Sequence, residues 1–134
     1  MNFKNWLENY QGSHKAPNKN YGSPLHNIVG IYPEDVYGNI MQYASDLSQK
    51  EAANIILKYR NKPEDQIKIY RAVPKNVNLI NPGDWVAITK KYAEQHSKHP
   101  TDPNQDLKII SAVVLAKELY TDGNSFEEWG YWPQ

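Results

Sequence analysis

Between Gln66 and Val73 the chain alternates apolar and polar residues, Gln-Ile-Lys-Ile-Tyr-Arg-Ala-Val, ahead of Pro74. A period of two predicts a β-strand with Ile67, Ile69, Arg71 and Val73 on one face and Lys68, Tyr70 and Ala72 on the other. Just upstream the period lengthens. Ala52, Ile55, Ile56 and Tyr59 recur at helical spacing behind Ser48-Gln49-Lys50-Glu51, which fits a capping box, and Lys62-Pro63-Glu64-Asp65 ends the helix. Tyr32-Pro33-Glu34-Asp35 predicts an earlier helix running to about Ala44, with Pro in the tolerated first turn and acids at the positive end of the dipole. Phe3, Trp6 and Leu7 predict a short helix over 2–10, and the Gly, Ser, Asn and Pro of 12–24 an irregular loop.

The second half reads differently. Asn81-Pro82-Gly83 is a turn signal, and 84–88 a short strand. Thr89 is placed to N-cap a brief helix over 90–96. The polar, Pro-containing stretch 97–106 reads as a mobile loop, and the apolar, β-rich stretch 107–115 as a central strand. Residues 120–125 form a turn-rich loop, and Glu128-Trp129-Gly130-Tyr131-Trp132 the last strand. The fold class expected is α+β, N-terminal helices followed by a mainly antiparallel set of short strands. With no repeat and no linker, residues 1–134 are expected to form a single domain.

Composition narrows the function. No cysteine is present, so neither disulfides nor thiolate zinc sites hold this fold. No apolar run approaches the ~18 residues of a membrane span, and Met-Asn-Phe-Lys-Asn-Trp lacks the apolar core of a signal peptide. The expectation is a soluble protein of the cytoplasm of the cell that expresses it. Lys+Arg and Asp+Glu both number 15, a balance that argues against general nucleic-acid binding, which feeds on a basic excess. Ten Tyr and four Trp against two Phe suit half-buried surfaces where a ring packs and a polar tip reaches water or ligand.

Arg71 stands out chemically. On a face shared with Ile67, Ile69 and Val73 a guanidinium needs a partner. One solution is an ion pair with Glu127, Glu128 or Asp84; the other is a ligand phosphate or carboxylate gripped by the planar fork. Glu127 and Glu128, as neighbours in a strand, face opposite sides, so only one can enter a given cleft. His96-Ser97-Lys98-His99 lacks the spacing of a metal motif, and no metal site is expected. There is no GxGxxG, P-loop or GxSxG.

Three segments together resemble the ADP-ribosyltransferase fold, in the small version found within polyvalent proteins of phages and mobile elements. They are Ile69-Tyr70-Arg71-Ala72-Val73-Pro74, the run from Ile80-Asn81-Pro82-Gly83-Asp84 to Thr89-Lys90-Lys91-Tyr92-Ala93, and Phe126-Glu127-Glu128-Trp129-Gly130-Tyr131. Gly22-Ser23-Pro24-Leu25-His26 and Ile31-Tyr32-Pro33-Glu34-Asp35-Val36-Tyr37 are similar to the family's N-terminal region, so the resemblance covers roughly residues 21 to 132.

The resemblance implies a split β-sheet around an NAD cleft, with Arg, Ser or Thr, and Glu on three successive elements. It places Arg71, flanked by Tyr70 and Ala72, on the phosphate and ribose of NAD, and Thr89 at the position that orients the nicotinamide ribose. Tyr92 would stack against nicotinamide. Glu128 would be the catalytic carboxylate, with Glu127 the alternative. NAD would be co-substrate, without a metal. Arginine-modifying relatives carry Glu or Gln two residues before the catalytic Glu; Phe126 stands there for Glu128, and Ser125 for Glu127, which argues against arginine as acceptor. The implied function is mono-ADP-ribosyl transfer by a phage or mobile-element protein to a host or defence component, a protein being favoured over nucleic acid. The alternatives are NAD glycohydrolysis on the same fold, or an inactive module that binds a protein partner.

Overall fold

The computed structural model describes residues 16–134; the helix expected over 2–10 lies outside them. Among the described residues six strands and two α-helices make an α+β fold. The strands are β1 (Ser23–Pro24), β2 (Gln66–Val73), β3 (Trp85–Ala87), β4 (Lys108–Leu115), β5 (Leu119–Thr121) and β6 (Glu128–Tyr131). The helices are α1 (Leu47–Tyr59) and α2 (Lys90–Ser97). All pairings between these strands are antiparallel, in the order β1-β5-β6-β3-β2-β4.

The bond between β2 and β3 is the thinnest in this sheet. β2 runs beside β4 for its whole length, Gln66 opposite Leu115 through to Val73 opposite Lys108, whereas β2 and β3 share only the pair Tyr70–Ala87. Residues directly opposite in a ladder point to the same face. Tyr70, Ala87 and Glu128 therefore share one face, and Ile69, Val86 and Trp129 the other.

The second of these faces carries the main core. Ile67, Ile69, Val86 and Trp129 are buried there with Ala52, Ala53, Ile56 and Tyr59 of α1. The helical stripe behaves as its spacing predicts, with Ile55 packed at the margin. The cap does not. Asp46, in extended backbone, accepts from the Gln49 amide, while the Gln49 side chain accepts from the amide and hydroxyl of Ser45. The reciprocal bonding expected of Ser48 and Glu51 has moved upstream, and Ser48 is buried inside the first turn.

The helix expected from Tyr32 to Ala44 is two 3-10 turns, Val36–Gly38 and Ile40–Tyr43. Asn39 leaves helical geometry between them, and its amide group bonds back to Asp35. Val36, Tyr37 and Ile40 are buried and anchor the turns, so apolar spacing alone suited either form. The expected central strand over 107–115 is β4 at the sheet edge, with Ser111 and Val113 exposed. The expected loops also contain strands: Ser23–Pro24 pairs with Tyr120 and Thr121 of β5. Within 97–106, Pro103–Gln105 forms a 3-10 turn capped by Asp102.

Gly130 has a specific task. A Cβ there would stand 2.2 Å from the Pro17 carbonyl oxygen, so only glycine lets the segment at Pro17 cross β6. Trp132 then donates its indole N–H to that same carbonyl at 2.8 Å.

Candidate functional site

β3 ends in a short β-to-α junction, and the site grows from it. Thr89 follows β3 after one residue, Ile88, keeps extended backbone, and caps α2 by accepting the Tyr92 amide at 3.2 Å. It is 2% exposed. A β-branched residue with a hydroxyl suits this place, since it favours extended backbone and supplies the cap acceptor. The cap fixes where α2 starts and hence where Tyr92 points.

Tyr92 points at β6. Its hydroxyl donates to Glu128 Oε1 in a close hydrogen bond. Behind it the His96 ring lies 4.2 Å away, centroid to centroid, and His96 Nδ1 sits 3.1 Å from the Tyr92 carbonyl oxygen. Thr89, Tyr92 and Glu128 are thus gathered at the junction of β3, α2 and β6. Glu128 is half-buried, and Tyr70 and Ala72 belong to the same sheet face.

Glu127 faces the other way. It is 5% exposed, and Ser48 and Asp46 at the start of α1 act on its carboxyl. Glu127 Oε1 and Ser48 Oγ are both buried without a hydrogen-bond partner among the described residues. Burial pushes the Glu127 carboxyl above its usual range, the Ser48 hydroxyl pulls it down, and Asp46 pushes it up again. The strand alternation that left the two glutamates undecided thus separates them, one toward α2 and the other toward the N-terminus of α1. Nothing in the sequence marked Asp46 or Ser48 as neighbours of Glu127; Ser48 stood out only as the expected helix cap.

Arg71 occupies the seam between β2 and β3. Its Nη1 donates to the Trp85 carbonyl at 2.6 Å, and its Nε lies 3.5 Å from Asp84 Oδ2. Past the pair Tyr70–Ala87 the ladder stops, and the Arg71 side chain takes a β3 carbonyl in its place. Of the acidic partners the sequence offered, the ion pair forms with Asp84. Asp84 also accepts the Asn81 amide at 2.8 Å, which closes the Asn81-Pro82-Gly83 turn at positive φ on Gly83. Burial pushes the guanidinium below its ordinary value, and Asp84 opposes that shift. By strand alternation Arg71 leaves β2 on the face opposite Tyr70 and Glu128, and its bonds to Asp84 and the Trp85 carbonyl hold it at the seam.

Chemically, the junction offers a half-buried carboxylate held by a phenol, and the seam a guanidinium held by an acid and a carbonyl. Among the described residues no three His, Asp or Glu side chains are grouped to hold a metal ion. No described helix is long and apolar enough to cross a membrane. No protein-family model, curated protein or solved structure matches the chain.

Proposed function

We propose that this chain is an NAD-dependent mono-ADP-ribosyltransferase with Glu128 as its catalytic carboxylate. The observation that carries the reading is the gathering of Thr89, Tyr92 and Glu128, from three separate sequence segments, at one β3–α2–β6 junction. The resemblance assigned a functional role to each of these residues, and their convergence supports it. Arg71, on the strand next to β3, supplies the fourth group.

The residue types suit the chemistry. In the transfer, the bond between the nicotinamide nitrogen and ribose breaks, and its electron pair leaves with neutral nicotinamide. The ribose carbon gains positive character, which a fixed carboxylate stabilises, as in glycoside hydrolysis. A nucleophile then bonds that carbon from the opposite side and releases its proton to solvent. Glu128 would face the developing charge and hold the ribose hydroxyl, with Tyr92 fixing its rotamer. Asp84 and the Trp85 carbonyl would aim the Arg71 fork at a phosphate of NAD. The acceptor would be a protein of a host cell or its defences, met in the cytoplasm by a phage or mobile-element product. Water as acceptor would make the same site a glycohydrolase.

A second reading has an observation of its own. The bonds of Arg71 to Asp84 and Trp85 suffice to explain a guanidinium in the seam, as an inactive protein-binding module on this fold would require. Calorimetric titration with NAD separates the two. The enzyme reading predicts saturable binding that Arg71→Ala abolishes while the variant stays folded; absence of binding to folded wild type favours the module.

A further inference from the structure

Among the described residues the outer edge of β4 is unguarded, and it is self-complementary. Edge strands are normally protected by charges, proline, bulges or short length, because their free N–H and C=O groups template further pairing. β4 has none of these over most of its eight residues: Lys-Ile-Ile-Ser-Ala-Val-Val-Leu carries one charge, at its first position, and neither Pro nor Gly. Its register with β2 is one-to-one throughout, without a bulge.

The hydrogen bonds at the strand's ends fix which residues face outward. Ala116 donates its amide inward to the Asp65 carbonyl, continuing the β2 ladder, whereas the Leu115 amide is taken by the Glu118 side chain. By alternation Ile109, Ser111 and Val113 turn their N–H and C=O groups away from β2. No backbone group of these three has a hydrogen-bond partner there among the described residues. Ser111 is exposed, and Val113 is 61% exposed although apolar.

We infer that this edge pairs with the β4 edge of a second copy of the chain, antiparallel, about a two-fold axis at Ser111. In that register Ser111 faces its own copy, and Ile109 faces the second copy's Val113. Each facing pair consists of outward-directed residues that can exchange two hydrogen bonds. Lys108 falls opposite the second copy's Val114, so no like charges oppose one another. Leu115, whose amide Glu118 already takes, lies outside the three bonded pairs. The arrangement is isologous, uses each edge once and closes, so it yields a dimer rather than a fibre. The inference rests on the sheet edge alone and is independent of the NAD reading.

Sedimentation equilibrium of the full chain from about 1 to about 100 µM tests it, with charge-swapped variants at the axis. Wild type is expected to reach twice the monomer mass. Ser111→Lys sets two like charges face to face across the axis and is expected to be monomeric with an unchanged circular dichroism spectrum; Ser111→Glu likewise. An equimolar mixture of the two variants is expected to regain the dimer mass. A wild type that stays monomeric throughout would overturn the inference and leave the edge to a strand of another protein. Variants that still dimerise alone, or a mixture that stays monomeric, would overturn it equally.

Discussion

Tyr92 on α2 donates its hydroxyl to the carboxylate of Glu128 on β6, and so joins a helix to the strand that borders β3 on its far side. The bond depends on a local device three residues earlier. Thr89 caps α2 through the Tyr92 amide, which fixes the helical phase that aims the ring. In the NAD reading Tyr92 positions Glu128, beside the stacking on nicotinamide that the resemblance implies, and its ring lies 4.2 Å from that of His96, centroid to centroid.

Tyr92→Phe keeps the ring and removes the bond. A hydrogen bond to a charged group contributes about 1.5–3 kcal/mol, so the turnover number for nicotinamide release should fall roughly ten-fold or more, with the KM for NAD little changed. Steady-state kinetics check the split. An unchanged turnover number would remove Tyr92 from the positioning role.

Thr89→Ala removes the α2 cap and should cost about 1 kcal/mol of stability, within the usual 0.5–2. Thr89→Ser should restore most of it, because the cap needs the hydroxyl. Urea unfolding of the three proteins gives the comparison.

Arg71 and Asp84 predict a coupled pair. Arg71→Ala removes the donor to the Trp85 carbonyl and should cost about 1–3 kcal/mol; Asp84→Ala takes the acid from a guanidinium that is only 14% exposed. A double-mutant cycle should return a coupling of about 0.5–3 kcal/mol, as expected for contacting residues. Arg71→Lys should not rescue, since an ammonium lacks the fork that meets both partners.

Glu127 predicts a pH dependence. Its folded carboxyl titrates above the ordinary 4.5, chiefly through burial, so between the two values the folded state binds more protons than the unfolded. Stability is then full below about the unfolded value and falls as pH rises toward the folded one. Glu127→Gln should flatten that decline and make the protein more stable than wild type at neutral pH. Denaturation midpoints from pH 4 to 8, on the order of one pH step apart, would show it; a parallel decline in the variant would exclude Glu127 as its source.

Much of this was legible in the residues themselves. The alternation of 66–73 gives β2 with its observed bounds, and Thr89 caps the helix it was expected to cap. The expectations that failed share a physical cause: local pattern does not report what lies beside an element. Ile109 to Val114 reads the same in a central strand as at an unguarded edge. Asp46, Ser48 and Gln49 all suit a helix entry, and packing of Ser48 on the Glu127 side leaves the cap to Asp46. Val36, Tyr37 and Ile40 bury equally well from two short turns as from one helix, and Asn39 bonding to Asp35 selects the turns. Arg71 was recognisable as a charge in need of a partner, but the choice of Asp84 follows from the end of the β2–β3 ladder, a tertiary fact.

The most direct test of the central claim is nicotinamide release from NAD by wild type, Glu128→Gln and Glu127→Gln, with and without cell lysate as acceptor. The account predicts release by wild type, its loss by about 100-fold or more in Glu128→Gln, and its persistence in Glu127→Gln, whose side chain faces α1. No release by folded wild type under either condition, or full release by Glu128→Gln, would contradict it.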